Sequence, residues 1–303
     1  MTGEVIRDGQ VTIRLSHPEK ELFPADGVTK GDLVEYYLAA AGRMLPLIAD
    51  RPVTMIRYPD GITAHPILQK NAPDYFPDWI TRAEVAKQGG SVRHVICDRP
   101  ATLAYLANQA CVEVHVFLSR VGSLDHPDQL IFDLDPPDDD QFAGVRRAAL
   151  VLRELLESDL GLTAYVKTTG GKGLHVHVPL DAGADFEAVR QLARQAGGVL
   201  AARAPDLVST EQRKDKRDGL IYADAMRNAY GQHAAAPYSV RGRPGAPVAT
   251  PLDWAELDDD GLSPHQFTVA TVPARLAGDD PWAGMPRRRY SAAKAAERLS
   301  QLT

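Results

Sequence analysis

The chain has 303 residues, of which 44% are hydrophobic and 24% charged, an ordinary globular composition for one large domain or two packed lobes. No run of 18 apolar residues is present, which excludes a long apolar membrane-spanning helix, and a net charge of −6 argues against an indiscriminate nucleic-acid coater. The two cysteines, Cys97 and Cys111, make neither a disulfide framework nor a zinc site, and Met1-Thr2-Gly3-Glu4 opens no secretory leader, so a cytoplasmic protein is expected.

Residues 12–25 read as a short strand and turn. Thr29 then has the place of an N-cap, with Asp32 three residues later as a capping-box partner. Leu33, Tyr36, Tyr37, Ala40 and Met44 give the following helix its apolar stripe, and Pro46 and Pro52 break the regular pattern beyond it. Residues 53–58 predict a strand before a Pro-Asp-Gly turn at 59–61. The proline-bearing polar region to about residue 92 reads as irregular, and 101–115 as a helix.

From residue 129 the alternation is clearer. A strand at 129–135 precedes a helix at about 141–158, a strand at 163–168, a glycine turn at 170–173 and a strand at 174–179. A helix at about 185–203 and strands near 219–224 and 237–241 follow. This order predicts an α+β fold with helices packed on mixed, mainly antiparallel sheets. The last 30 residues, with Arg287-Arg288-Arg289, read as a helical or loosely ordered basic tail.

Within the 129–135 strand, Asp133 and Asp135 project to one face while Phe132 and Leu134 take the other. Their backbones stand roughly 6.5–7 Å apart, a spacing at which carboxylates converge on one divalent cation or bridge two. Mg²⁺ and Mn²⁺ suit an oxygen-only site of this kind. A solvated acidic turn leading into Asp138-Asp139-Asp140 would use the same residues. In Thr169-Gly170-Gly171-Lys172-Gly173-Leu174-His175, three glycines let backbone amides approach an anion, with Thr169, Lys172 and His175 adding a hydroxyl, a cation and a proton donor. The spacing is not that of a Walker A loop, and a plain glycine hairpin would also account for it. Arg213, Lys214, Lys216 and Arg217 lie close enough to the 219–224 strand to line a phosphate track, or to form a solvated loop.

These motifs are followed by Tyr222-Ala223-Asp224-Ala225-Met226-Arg227-Asn228 and by Pro237-Tyr238-Ser239-Val240-Arg241-Gly242-Arg243-Pro244-Gly245. In that order the sequence resembles the polymerase domain of bacterial ATP-dependent DNA ligase D, in the archaeo-eukaryotic primase superfamily, from about residue 12 to about 285. The resemblance implies a two-lobed primase-polymerase-like catalytic domain, with an N-terminal lobe at about 1–128, a catalytic lobe at about 129–285 and a basic tail at 286–303. It assigns Asp133, Asp135 and Asp224 to two Mn²⁺ or Mg²⁺ ions. Thr169, Lys172, His175, Ser239, Arg241, His115 and Arg51 fall to the incoming nucleoside triphosphate (NTP or dNTP), with Arg57 near the site. Lys20 and Lys30 match lysines that receive the DNA 5′-phosphate at a gap or broken end.

The implied activity is DNA repair synthesis in end joining or gap filling, with Mn²⁺ and ribonucleotides preferred, in the nucleoid of a bacterium. The family often has serine at Thr169 and paired phenylalanines where Ile67-Leu68 stand here; aliphatic side chains keep apolar contact with a template base but lose stacking. The chain is too short for the ligase domain that accompanies this domain in the family, so a separate ATP-dependent DNA ligase and other repair proteins are the expected partners. Two other readings use the same residues: a primase that starts unprimed strands, and a non-catalytic DNA-end-binding module that recruits a ligase.

Overall fold

A computed structural model describes residues 5–302. By internal packing the chain divides into two compact units. The first takes the stretch up to Gly122 together with His233–Thr250 and His265–Asp280, and the second takes Ser123–Gln232, Pro251–Pro264 and the chain from Pro281 onward. The fold is α+β, with mainly antiparallel sheets as the element order predicts.

The first unit opens with a hairpin, β1 (Val5–Asp8) and β2 (Val11–Arg14), then a small pair, β3 (Glu21–Phe23) and β4 (Val28–Thr29). Helix α1 (Lys30–Ile48) starts where the cap predicts. The Thr29 hydroxyl accepts from the Asp32 amide, and the Asp32 carboxylate accepts from the Thr29 amide at 2.8 Å. Leu33, Tyr36, Tyr37, Ala40 and Met44 are all buried. Pro46 does not end this helix, which runs on to Ile48, and Pro52 opens a strand, β5 (Pro52–Arg57).

The region expected to be irregular instead forms β6 (Ile67–Gln69) and a hairpin of β7 (Arg82–Lys87) with β8 (Gly90–Ile96). Strand β7 lies at a sheet edge with mostly exposed or half-exposed side chains, so no apolar alternation announces it. The helix expected over 101–115 is two elements: α2 (Pro100–Asn108) and strand β9 (Cys111–Phe117), separated at Ala110 by a left-handed backbone with φ 56°. A strand buried on both faces reads as a continuous apolar run, which periodicity cannot tell from a buried helix.

The second unit carries β10 (Gln129–Asp135), α3 (Phe142–Glu154, prolonged by a π-turn at Leu155–Asp159), β11 (Tyr165–Thr168), β12 (Leu174–Pro179), α4 (Phe186–Arg203), β13 (Val208–Ser209) and β14 (Ile221–Asp224). Asp185 caps α4 by accepting from the Ala188 amide. The chain then adds β15 (His233–Ala235) to β9 of the first unit and β16 (Pro251–Leu252) to β11 of the second. The strand expected at 237–241 is therefore displaced to 233–235; Val240 makes only an isolated bridge to Val248. The resulting sheet orders are β15-β9-β5-β8-β7, with β6 on β5, and β13-β14-β10-β12-β11-β16.

In the tail, Tyr290 bridges Leu180, and a last helix (Ala292–Leu299) buries Ala292, Ala295 and Leu299. No helix among the described residues is long and apolar enough to cross a membrane.

Candidate active site

Strand register in the second unit decides which charged groups meet. Asp133 of β10 is paired across the sheet with Asp224 of β14 on one side and with His175 of β12 on the other. His175 is in turn opposite Lys167 of β11. Directly opposed residues share a face, and so do residues two apart. One face thus carries Asp224, Asp133, His175 and Lys167 in a row, with Asp135 one step along. Leu134 and Ala223 oppose each other on the other face, which is buried.

Two further groups hold this row. Asn228 is fully buried; its amide nitrogen donates to the Ile131 carbonyl at 2.7 Å and its side-chain oxygen accepts from the Ile131 amide at 2.9 Å. It thereby continues the pairing of β10 beyond the end of β14. Arg227 donates to Asp133 Oδ2 at 3.0 Å. Asp224 Oδ1 accepts from the Met226 amide at 2.6 Å and from the Tyr222 hydroxyl at 3.2 Å.

The electrostatics separate the two strand carboxylates. Burial opposes the charged form of Asp133, but His175 and Arg227 outweigh it and hold this carboxyl well below the usual range. Asp135 is pushed up to about 7, first by burial and then by the negative charge of Asp133. Burial, reinforced by the positive charge of Lys167, lowers His175, while Asp133 pulls it the other way.

With Arg227 on one carboxylate and backbone on another, no three His, Cys, Asp or Glu side chains among the described residues stand in a ready metal-holding group. The donor chemistry nevertheless fits a hard divalent cation. Three carboxylates share a face, and Asp133 Oδ1 is buried without a hydrogen-bond partner, with His175 Nε2 3.2 Å away. Arg227, 39% exposed, supplies one positive charge to Asp133.

The glycine turn joins β11 to β12 beside this face. The Thr169 hydroxyl accepts from the Gly171 amide at 3.1 Å and donates to the Gly173 carbonyl at 3.2 Å, so it fixes the turn's shape. Gly170 has φ 64°, which a side chain would strain. At Gly173 a Cβ would run into the Leu134 carbonyl oxygen and press on Asp135 Oδ1. Gly173→Ala is expected to cost about 1–3 kcal/mol of stability, measured by urea unfolding, because backbone rather than a flexible side chain must give way.

Of the basic stretch before β14, Arg213 pairs with Asp215 at 2.7 Å, while Lys214 and Lys216 are exposed. Arg217 donates to the Glu211 and Gln212 carbonyls and lies 3.8 Å over the Tyr222 ring. It therefore backs the tyrosine that donates to Asp224.

The first unit holds the remaining residues. His115 and Glu113 share a face of β9, and Arg241 Nε donates to Glu113 Oε2 at 2.8 Å. The buried Ser239 hydroxyl accepts from the Val114 amide at 2.9 Å and so ties its loop to β9. Arg51 is 1% exposed and donates to the Leu47 and Phe117 carbonyls, a framework position. Arg57 donates to the Gln109 carbonyl and to Gln69 Oε1, both at 2.8 Å.

Lys20 and Lys30 come together: the Lys30 amide donates to the Lys20 carbonyl at 2.8 Å. Lys30 Nζ reaches Ser16 Oγ at 3.0 Å, and Lys20 Nζ lies 3.7 Å from Asp60. Burial first and Lys20 second lower the Lys30 pKa, the signature of two cations sharing a place. Ile67 and Leu68 are 49% and 57% exposed, and Tyr75, whose hydroxyl accepts from Arg57 at 3.4 Å, is exposed as well.

Sequence reasoning did not single out Glu113, Arg227, Asn228, Tyr222 or His233. Asn228 and Arg227 stood inside a recognised motif, but only the pairing of β10 with β14 gives each its partner.

The family described as LigD, primase-polymerase domain, matches residues 29–282. The multifunctional non-homologous end joining DNA repair protein LigD of Mycobacterium tuberculosis is 37% identical over 275 residues, covering 88% of this chain and 36% of that protein. The bifunctional non-homologous end joining protein LigD of Bacillus subtilis is 35% identical over 259 residues, covering 85% of this chain and 41% of that protein. The chain thus spans a little over a third of the length of these relatives. A solved structure of the polymerase domain from Mycobacterium tuberculosis Ligase D in complex with DNA superposes with a TM-score of 0.86 at 35% identity, over 91% of this chain and 99% of that one.

Proposed function

The chain belongs to the LigD primase-polymerase family, and from that premise we propose that it is a nucleotidyltransferase that adds nucleotides to primer 3′-ends at gaps and broken DNA ends. The observation that carries this reading is the register of β10 with β14, which sets Asp224 directly opposite Asp133 on the face shared with Asp135. The names of the relatives support a role in non-homologous end joining, and the similarity to a DNA-bound polymerase domain supports DNA as the partner.

Asp133, Asp135 and Asp224 would hold two divalent ions, Mn²⁺ or Mg²⁺. When bound, such ions lower the pKa of an attacking hydroxyl and neutralise charge on transferring phosphates. His175, which burial and Lys167 make harder to protonate, serves as a hydrogen-bonding group beside Asp133. The glycine turn brings Lys172 to phosphate oxygens, with Thr169 keeping the turn in shape. Within the first unit, His115, Ser239 and Arg241 are assigned to the incoming nucleotide. Ribonucleotides, an ATP-dependent ligase as partner, and action in the bacterial cytoplasm at the nucleoid complete the reading.

The test is extension of a gapped, 5′-phosphorylated duplex with Mn²⁺ or Mg²⁺ and either sugar. Incorporation abolished by EDTA is the expected result; no incorporation with any metal or sugar refutes the reading. In the same assay system, Lys20→Ala combined with Lys30→Ala is expected to weaken binding to the phosphorylated gap about tenfold or more. Binding to the unphosphorylated gap is expected to change much less, because a phosphate dianion is the stronger partner for two adjacent cations. Equal losses on both duplexes would assign the lysines to general backbone contact.

A further inference from the structure

Glu113 is a carboxylate 5% exposed in the middle of a central strand, and four donors converge on it. Its Oε2 accepts from Arg241 Nε at 2.8 Å and faces His115 Nε2 at 2.9 Å. Its Oε1 accepts from the Gly242 amide at 3.0 Å and from the Tyr58 hydroxyl at 3.1 Å. Burial alone would favour the neutral acid, but His115, Arg241 and the Gly242 amide reverse the balance and hold the group ionised, at about 2. The Tyr58 ring lies where a Cβ on residue 242 would go, so Gly242 is needed for the loop to close down on the carboxylate.

A buried ion pair is a weak source of stability, since its desolvation offsets most of the attraction. What such a network supplies is fixed geometry. Because Glu113 is ionised, it must accept, and His115 Nε2 must carry the proton. In the neutral imidazole His115 Nδ1 then presents a lone pair, and it meets His233 Nδ1 at 3.1 Å, which is the donor of that contact. Engaging Arg241 through Nε fixes the plane in which its two terminal amino groups lie. One carboxylate thus sets the tautomer of one side chain and the orientation of another.

We propose that Glu113 is a positioning residue for nucleotide binding, acting through Arg241 and His115. The proposal rests on the reading above that these two side chains meet the incoming nucleotide, and it adds the group that prepares them. Glu113 itself touches no substrate.

The experiment is a double-mutant cycle read by direct titration of a fluorescent nucleoside triphosphate, alongside DNA binding and thermal unfolding. Glu113→Gln is expected to raise the nucleotide Kd about tenfold or more in the wild-type background, and less than twofold when Arg241→Ala and His115→Ala are already present together. Binding to duplex DNA is expected to stay within about twofold of wild type. An equal loss of nucleotide affinity in both backgrounds, or parallel loss of DNA binding, overturns the positioning role in favour of a purely structural one.

If wild type binds nucleotide and Glu113→Gln binds it equally well, the proposal fails while the polymerase reading stands. If Arg241→Ala leaves nucleotide affinity unchanged, the assignment of Arg241 fails and takes the proposal with it. Should Glu113→Gln not fold, Glu113→Asp keeps the charge on a shorter arm and enters the same cycle, with the same expected and overturning results.

Discussion

Asp133→Asn is expected to reduce nucleotide incorporation at a gapped duplex by about 10³-fold or more, a loss of the order seen when a principal electrostatic group is removed from an active site. The substitution is nearly isosteric, so the loss would arise from charge and not from packing. It also removes the anion that Arg227 engages at 3.0 Å and that stands 3.2 Å from His175. The folded protein is therefore expected to lose stability at neutral pH as well. The sign follows from the lowered pKa of Asp133. A depressed carboxylate contributes stability above its unfolded value of about 4 and loses it as the pH falls through the folded one. Incorporation and chemical denaturation measured on the same preparation check both expectations; activity that survives in Asp133→Asn would remove the metal assignment.

Asp135→Asn is expected to do the opposite to stability while still abolishing activity. Asp135 is raised to about 7 by burial and by Asp133, against an unfolded value of about 4. A raised carboxyl stabilises the fold fully below the unfolded pKa, and that contribution is lost as the pH rises through the folded one. At pH 8 the wild-type protein therefore holds a disfavoured negative charge that asparagine lacks. Because Asp135 is partly exposed, solvent relaxation keeps the expected gain to about 1–3 kcal/mol. Denaturant unfolding in EDTA should show Asp135→Asn more stable than wild type at pH 8, with the advantage fading between about pH 7 and pH 4. A destabilised Asp135→Asn at pH 8 would mean that the site does not concentrate negative charge. Neighbouring carboxylates with opposite effects on stability are what a site built for a cation predicts, since the fold alone does not favour both charges.

Much of the second unit was legible because its signals are local. Asp133 and Asp135 share a face by the two-residue period of any strand, and the α3 and α4 stripes repeat at helical spacing. The first unit was harder to read. Strand β9 is apolar except for Glu113 and His115, and it follows directly on an apolar helix, so a single helix over 101–115 accounted for the same residues. Strand β7 lies on an edge where half-exposed side chains carry no period.

By itself the sequence determined where elements begin and end whenever a cap or a period acts over a few residues, whereas Pro46 did not end its helix. The Thr29–Asp32 capping box and the glycine turn at 170–173 are of that kind. Only the tertiary structure decided that Asp224 stands opposite Asp133, that Arg227 rests on it, and that Arg241 reaches Glu113 across 128 positions of chain. The reason is physical. Caps and periodicities are set by backbone geometry within a turn or two, whereas cross-strand partners follow from a register that the burial of whole faces selects.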